Sequence, residues 1–334
     1  MSDFQQALAA HRPDLLRHCY RMLGSFADAE DVAQDVLLSA WKARDSYSGT
    51  VPLVHWLLRI STNACLNELA RRRRRGLPQT AREAATTVDQ IELLEAADWL
   101  TPAPDSRLFA PPAQAIESRE SVALAFLALL QQLPPRQRAV LLLKDVIGWS
   151  AEEIATALDM TLGSVNSALH RARATVATGP RAPAADPPPD VLREYIRSWE
   201  ARDLTSLVAL LRHDVVFAMP PFATWFRGAT TVASFLRSAH LDRFWSRELR
   251  ITSTRACGQL ALAFHVRADD GYRPHSIQLV QFVEQQVTEA IQFIGADYLR
   301  GFDVPEDLTV AGADSPRPGG GAERAASPPR PGSA

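Results

Sequence analysis

The chain has 334 residues, enough for two or three domains, and 46% of them are hydrophobic, so a sizeable core can form. The formal net charge is only -2, so any surface that binds a polyanion must be a local patch. Three widely spaced cysteines show neither a disulfide framework nor metal-ligand spacing, which suits a reducing cytoplasm. The sequence shows no signal peptide and no apolar run of the ~18 residues that a membrane span needs. We expect a cytoplasmic protein with no metal, cofactor or membrane partner.

Proline-rich stretches divide the chain. Residues 179–190 contain five prolines and predict a stiff linker. Residues 78–118 predict a second linker, with a short helix near Asp89 to Ala97. Residues 309–334 are almost all Ala, Gly, Pro and Ser, a composition that predicts a disordered tail. The domains are then expected at residues 1–77, 119–178 and 191–308.

The apolar spacing predicts the fold class. It is helical up to about residue 177, with almost no strand alternation. A helix over residues 190–211 follows, and then runs that alternate apolar and polar residues, as strands do. These runs are residues 248–256, 259–268, 275–284 and 287–294. We predict two all-α domains followed by an α+β domain.

A run of five arginines follows a helical segment. Residues 56–77 carry six arginines against one acid, a local net charge of +5. Projection of residues 53–71 at 100° per residue gives two apolar stripes with one polar face between them. That face carries side chains that reach phosphates and base edges, and the arginines add phosphate-binding charge. A solvated helix end is the alternative, and a membrane surface is less favoured. The candidate DNA-binding residues are His55, Trp56, Arg59, Thr62, Asn63, Arg71, Arg72 and Arg73.

Residues 133–176 predict a helix-turn-helix. Ser150 and Glu153 form a capping box for the first helix, and Thr161 can cap the second. The apolar stripe of the second helix is predicted to be Leu162, Val165, Ala168, Leu169, Ala172 and Val176. Its outer face is polar, cationic and free of acids, which suits the major groove better than an ordinary helical hairpin. The candidate readers are Ser164, Asn166, Ser167, His170, Arg171 and, at the margin, Arg173.

Three segments in this order resemble the extracytoplasmic-function (ECF) class of RNA polymerase sigma factors. They are DAEDVAQDVLLSAW (Asp28–Trp41), WLLRISTNACLNELARRRRR (Trp56–Arg75) and the helix-turn-helix segment Leu133–Ala174. The motifs DWLTPAPD and MPPFATWFRG, together with the last domain, resemble a subgroup that carries a cone-shaped, SnoaL-like (ketosteroid-isomerase-like) domain.

The resemblance implies partners and roles. The first domain would bind the β′ clamp helices of core RNA polymerase and melt the minus-ten promoter element. The second would read the minus-thirty-five element beside the β flap. Asp45–Pro52 matches the segment that captures a flipped base. An anti-sigma factor or a small ligand stays open as a further partner. The polymerase-binding residues would be Asp31, Gln34, Asp35, Leu38 and Trp41, which project outward on their helix.

Two other classes of function remain open. A stand-alone helix-turn-helix regulator would need no polymerase-binding face. A SnoaL-like or ketosteroid-isomerase-like enzyme would need an acid/base pair, and the candidates are Asp214, His265, His275 and Tyr272. No catalytic motif maps onto them residue by residue, and the fold alone is thin support for catalysis. We therefore expect a C-terminal domain that regulates the factor and does not catalyse.

Overall fold

A computed structural model describes residues 3–71, 75–89, 91–92, 99–109, 122–177, 185–269 and 271–305. The first domain is helical, and its core is built from the inner faces of three helices that pack against one another. Helix α2 ends at Gly24, whose φ of 69° is left-handed and suits glycine, and Ser25 then caps α3 through the Asp28 amide. The helices are α1 Asp3–Ala10, α2 Arg12–Leu23, α3 Phe26–Lys42 and α4 Leu53–Arg71.

The described parts of the first linker lie along the C-terminal domain. They contain two short helices, α5 Pro78–Ala81 and α6 Asp105–Leu108. The Ala85 amide donates to the Trp225 carbonyl at 2.8 Å, and the Trp225 indole donates back to the Arg82 carbonyl at 2.9 Å. The linker is therefore hydrogen-bonded to the C-terminal domain. Most of the short helix expected at Asp89–Ala97 falls outside the described residues, and Asp89 itself is not helical.

The second helical domain is the expected helix-turn-helix with two supporting helices. The Ser150 hydroxyl accepts from the Glu153 amide at 3.1 Å, and the Glu153 carboxylate accepts from the Ser150 amide at 2.7 Å, so the predicted capping box is present. Thr161 caps the last helix through the Ser164 amide, as predicted. The helices are α7 Leu124–Gln132, α8 Pro135–Leu141 with a π-helical turn Leu142–Val146, α9 Ala151–Leu158 and α10 Leu162–Val176.

The C-terminal domain is a curved six-stranded sheet in the order β2-β1-β6-β5-β4-β3, with helices over its inner face. Strands β1 and β6 are parallel, and every other neighbouring pair is antiparallel. This confirms the predicted fold class of two all-α domains and an α+β domain. The helices are α11 Pro189–Glu200, α12 Leu204–Ala209, α13 Ala229–Leu236 and α14 Asp242–Trp245. The strands are β1 Leu211–Ala218, β2 Trp225–Arg227, β3 Leu249–Ala256, β4 Gln259–Ala268, β5 Gly271–Val283 and β6 Gln286–Ile294.

Two details differ from the sequence prediction. The single helix expected over residues 190–211 is two helices, because Arg202 takes a left-handed φ of 59° and Asp203 caps a new start at Thr205 and Ser206. The strands were expected to have one polar face, yet the first eight residues of β4 are all buried. The tail from residue 309 lies outside the described residues.

The burial of both sheet faces explains how the domains are joined. Leu262 and Phe264 of β4 point into the core of the cone. Ala261 and Ala263, on the opposite face, belong to the same continuous apolar core as the helices of the first two domains. The C-terminal domain therefore shares a core with the helical domains and is not self-contained.

Candidate nucleic-acid interface

The outward face of α3 has the geometry expected of a protein-binding surface. Asp31, Gln34 and Asp35 are exposed on it. Leu38 beside them is 52% exposed, although leucine is among the most often buried residues. Trp41 is half-buried, 6.4 Å from the Phe4 ring and 5.0 Å from the Arg44 guanidinium. An acidic surface with an exposed leucine and a tryptophan at its edge can bind a partner of mixed basic and apolar character.

An aromatic cluster supports the loop that follows α3. The Tyr47 ring lies 6.3 Å from Phe4 and 5.3 Å from Trp56, which is half-buried near the start of α4. The Tyr47 hydroxyl donates to the Val51 carbonyl at 2.7 Å, closing the loop. Exposed hydroxyls and aromatic faces therefore meet where α4 begins, as stacking on an unpaired base requires.

The polar face of α4 is narrower than its helical projection predicted. Arg59 and Asn63 are exposed, as expected. The prediction was wrong about Thr62, which is fully buried. Its hydroxyl donates to the Leu58 carbonyl at 2.7 Å and also lies 2.9 Å from Nε2 of His18. Its partner is 44 residues away in the chain, so the projection of one helix could not reveal it.

His18 itself is neutral at physiological pH. Burial, with a smaller contribution from the charge of Arg21, lowers the pKa of His18 to about 3. The side chain is fully buried between α2 and α4. A neutral imidazole paired with a threonine hydroxyl is a core hydrogen bond, so this pair holds the domain together.

The arginine run divides into residues with different roles. Arg71, the last described residue of α4, is exposed, and Arg75 at the end of the run is not helical. Arg72 and Arg73 lie outside the described residues. Arg75 is buried, and its guanidinium lies 2.6 Å from the Asp28 carboxylate and donates to the Leu23 carbonyl at 3.2 Å. Arg75 therefore fixes the end of the run to the start of α3.

The outer face of α10 has the character predicted for a recognition helix. Its described side chains Ser164, Asn166, Ser167, His170 and Arg171 are all exposed. No acid lies on this helix, so its face stays polar and cationic.

Two residues of α10 differ from the prediction. Leu162, expected in the apolar stripe, is 45% exposed because the stripe starts one turn later at Val165. Arg173 is exposed but donates two hydrogen bonds, of 2.5 and 2.9 Å, to the Asp145 carboxylate.

The two helical domains contact each other through the face expected to meet DNA. The ring of His55 lies 5.0 Å from the ring of Trp149, just before α9. Its Nδ1 is 3.7 Å from the Glu153 carboxylate. The Ser150 amide lowers the pKa of Glu153, and the charge of His55 adds to the effect. An acidic helix start therefore faces His55.

Beside this contact, a pocket of about 310 Å³ lies between α4 and α9. Trp56 and Arg59 line it from α4, and Glu152 and Thr156 line it from α9. Three of the predicted DNA-binding side chains, including His55, are thus partly covered by the second domain. Sequence reasoning missed this contact, although Trp149 directly before a capping box was a signal that an aromatic anchors this end of α9.

A second contact ties the two helical domains together near the end of α2. The buried guanidinium of Arg138 donates to the Met22 carbonyl and, at 2.6 Å, to the Gln131 side chain. The Gln131 amide donates in turn to the Arg21 carbonyl at 3.4 Å. Gly24 is part of this contact, since a Cβ there would lie 3.0 Å from the Gln131 side chain. The helical domains are closely packed in this arrangement.

The motifs singled out in the sequence meet at the contact with the C-terminal domain. The Trp99 indole, from DWLTPAPD, donates to the Pro221 carbonyl, from MPPFATWFRG, at 3.0 Å. The Cys257 amide donates to the Ala103 carbonyl at 3.0 Å. The Gly258 amide donates to the Asp105 carboxylate at 2.8 Å. Both motifs therefore hold the linker against the sheet.

The candidate catalytic residues do not converge. Asp214 is exposed and paired with Arg212, which lowers the pKa of Asp214. His265 is buried with its Nε2 against the Pro305 carbonyl, away from the cavity of the cone. Only His275 of the four candidates lines that cavity, and no carboxylate is among its described lining residues. The described lining residues therefore supply no carboxylate to pair with His275. Within the described residues, no group of acids, histidines and cysteines could hold a metal ion, and no helix is long and apolar enough to cross a membrane.

Comparison with known families matches three parts of the chain. The Sigma-70 region 2 model matches residues 7–75, the Sigma-70 region 4 model residues 123–176 and the SnoaL-like domain model residues 192–290. These matches define a class of protein, the RNA polymerase sigma factor with a C-terminal SnoaL-like domain.

Relatives make the family specific. The ECF RNA polymerase sigma factor SigG of Mycobacterium tuberculosis is 38% identical over 315 residues, 92% of this chain and 85% of that protein. The ECF sigma factor SigJ of the same organism is 27% identical over 245 residues, 71% of this chain and 72% of that protein. Its crystal structure shares the fold, with a TM-score of 0.54 at 21% identity over 89% of this chain and 97% of that chain. The chain belongs to the ECF RNA polymerase sigma factors, as its motifs predicted.

Proposed function

We propose that this sigma factor binds core RNA polymerase through the outward face of α3, at the β′ clamp helices. The observation that carries the proposal is the exposed Leu38 between the acids of that face and Trp41. The acids would steer the factor toward a basic partner surface, and burial of the two apolar side chains would supply affinity. The factor would then act in the cytoplasm, where transcription takes place.

Promoter reading would be shared between two helices. Arg59 and Asn63 of α4, with Tyr47 and Trp56 beside them, would meet the minus-ten element where its strands separate. Extruding a base costs a few kcal/mol of stacking, which the aromatic faces of the loop would offset. The exposed face of α10 would read the minus-thirty-five element in the major groove, with its domain beside the β flap. Asn166 and Arg171 are the side chains best suited to base edges.

Both readings require the domains to separate. The positions minus ten and minus thirty-five, after which the two promoter elements are named, are about 25 base pairs apart. At about 3.4 Å per base pair this is on the order of 85 Å of B-DNA. In the arrangement described here His55 lies 3.7 Å from Glu153, across the contact between the two reading domains. The compact arrangement would therefore be a resting state, and polymerase and promoter would favour an open one by binding it better.

The C-terminal domain would regulate this opening. It contacts the first domain and the linker through Tyr20, Trp99 and Cys257, and it would bias the opening by losing these contacts in the open arrangement. Catalysis by this domain is not proposed, because its cavity lacks a described acid/base pair.

The decisive experiment is transcription from a cognate promoter by purified core polymerase, with and without this protein. Promoter-specific transcripts that depend on it would support the proposal. DNA binding without any stimulation of core polymerase would instead favour a stand-alone regulator, and would overturn the assignment of α3.

A further inference from the structure

The pocket between α4 and α9 is lined by both DNA-reading domains. Trp56 contributes to it from α4, and Trp149, just before α9, contributes from the second domain. The pocket of about 310 Å³ is roughly twice the size of an apolar cavity of about 150 Å³ that is known to take up benzene. Indole side chains favour a flat apolar group, because aromatic rings gain more on contact than their buried area alone supplies. The pocket therefore has room for one aromatic ring together with a short polar chain.

Each wall of this pocket also carries one charge that lacks a partner. Arg59 lines the pocket from α4 and Glu152 lines it from α9, and both side chains are exposed. Within the described residues, neither side chain forms an ion pair or a hydrogen bond, and the two are not paired with each other. A positive and a negative group therefore reach the same pocket from different domains.

The neighbouring acid, Glu153, is already occupied. Its carboxylate accepts from the Ser150 amide at 2.7 Å and lies 3.7 Å from Nδ1 of His55. It serves the capping box and the contact between the domains, so it is not offered to a ligand. Among the described lining residues, the charged groups left for a ligand are the Arg59 guanidinium and the Glu152 carboxylate.

These two charges define the class of ligand. A guanidinium binds a carboxylate through two hydrogen bonds in one plane, and a carboxylate accepts from an ammonium group. A simple anion would leave Glu152 without a partner, and a simple cation would leave Arg59 without one. A small molecule with both charges on a short chain and an aromatic ring beside them matches both walls. A free aromatic amino acid has this chemistry.

We propose that this pocket binds a free aromatic α-amino acid, which holds the two DNA-reading domains together. Its carboxylate pairs with Arg59 and its ammonium group with Glu152, while its ring packs beside Trp56 and Trp149. The complete site exists only in the compact arrangement, because its two walls belong to different domains. A ligand favours the arrangement that binds it better, so occupancy opposes opening. The binding is independent of the function proposed above, whereas its effect on opening rests on that function.

The binding is tested by equilibrium dialysis of the full-length protein against labelled L-phenylalanine. We expect saturable binding, weakened severalfold in Arg59→Gln and in Glu152→Gln, since each variant loses one partly exposed ion pair. Arg237→Gln and Glu194→Gln make the same changes at exposed positions of the C-terminal domain and should leave binding unchanged. L-Alanine, which keeps both charges but lacks the ring, should bind at least about tenfold more weakly because it buries less apolar area.

Truncated ligands assign each charge to its partner. Phenethylamine lacks the carboxylate and 3-phenylpropionate lacks the ammonium group, so each should compete severalfold more weakly than L-phenylalanine for the wild type. Arg59→Gln should bind phenethylamine as well as it binds L-phenylalanine, because both changes remove the same interaction. For the same reason, Glu152→Gln should not distinguish 3-phenylpropionate from L-phenylalanine.

Three results would overturn the site. They are no saturable binding of L-phenylalanine, equal affinity of the wild type for L-phenylalanine and both truncated ligands, or losses in the two pocket variants no larger than those in their controls. Circular dichroism and melting temperatures that match the wild type show that a variant is folded. The truncated ligands test the wild type itself, so the site can be refuted even if a variant does not fold.

The effect on opening is tested by titration of labelled protein with core polymerase. Saturating L-phenylalanine should weaken the affinity of the wild type for core polymerase severalfold, and core polymerase should weaken L-phenylalanine binding by the same factor. The effect should be smaller in Glu152→Gln, and the same concentration of L-alanine should have none. Binding of L-phenylalanine without any change in polymerase affinity would refute the coupling while leaving the site intact. A protein that binds L-phenylalanine but not core polymerase would overturn the proposed function and not the site.

Discussion

The hydroxyl of Tyr20, in the first helical domain, lies 3.2 Å from the thiol of Cys257, which is 237 residues later in the C-terminal domain. The same hydroxyl donates to the Thr101 carbonyl of the linker at 2.6 Å. Both side chains are fully buried, and burial raises the pKa of Cys257 to about 12. One phenol therefore joins the first domain, the linker and the C-terminal domain, while burial keeps the thiol protonated.

Tyr20→Phe should loosen this junction. Loss of the hydroxyl leaves the Thr101 carbonyl without its partner, which should lower the free energy of unfolding by about 1 kcal/mol. Cys257 should then react faster with a thiol reagent, as measured by mass spectrometry of each cysteine. Cys65, buried within the first domain, is the internal control. An unchanged rate at Cys257 would show that the junction does not limit opening.

Charge reversal on α3 should sharply weaken polymerase binding. Asp31→Arg together with Asp35→Arg places like charge against a basic partner surface, and we expect affinity for core enzyme to fall at least about tenfold. The matched control reverses Asp190 and Glu194, two exposed acids with the same spacing on α11. Affinity is measured by titration of labelled protein with core polymerase. An equal loss of affinity in both double variants would show that the net charge of the protein, and not the face of α3, determines binding.

Asn166→Ala should cost about 1–3 kcal/mol of binding to the cognate minus-thirty-five element if the amide contacts a base. The loss should be confined to one base position, which a panel of single-base substitutions in the promoter reveals. Gln286→Ala, an exposed amide of the C-terminal domain, is the control. A uniform loss over all sequences would mean that Asn166 contacts the DNA backbone.

The two ends of the arginine run should respond differently to substitution. Arg71→Ala should weaken binding to any DNA sequence and reduce the salt slope by about one, the amount expected when a single phosphate is no longer neutralised, with the fold intact. Arg75→Ala breaks a buried ion pair with the Asp28 carboxylate and should lower the free energy of unfolding by about 3 kcal/mol. Urea unfolding and salt titrations measure the two quantities. If Arg75→Ala left stability unchanged and flattened the salt dependence, our division of roles would be wrong.

The factor should lose stability in acid through His18. Its pKa is about 3 in the folded state and near 6.5 unfolded, so the unfolded chain takes up the proton first. The contribution of this histidine is fully present above pH 6.5 and is lost as the pH falls toward 3, at up to about 1.4 kcal/mol per pH unit. His18→Gln should flatten that slope in urea unfolding between pH 7.5 and 5, whereas the exposed His170→Gln should not. Parallel slopes for all three proteins would exclude His18 as the cause.

Sequence motifs that are complete within a few residues predicted the local structure correctly. Contacts between residues far apart in the chain could not be predicted in this way. The capping box of Ser150 and Glu153 is complete within four residues, so the sequence alone places it. Thr62 and Arg75 have their partners on other helices, and a projection of one helix cannot place a side chain against a neighbour that it does not include. The burial of the outer face of β4 could not be predicted either, because it depends on helices of other domains. That face carries alanines, whose small side chains do not indicate that a second core lies against them.

That shared core also has a consequence for biosynthesis. The chain is made from its first residue onward, and domains fold in that order as they leave the ribosome. The second DNA-reading domain ends with Val176, 118 residues before the last strand of the sheet ends at Ile294. During that interval Trp99, buried in the finished molecule, lacks the C-terminal domain to whose Pro221 carbonyl its indole donates. We expect the nascent factor to pass through a stage in which its two DNA-reading domains are folded, while the C-terminal domain that would restrain them has not yet been synthesised.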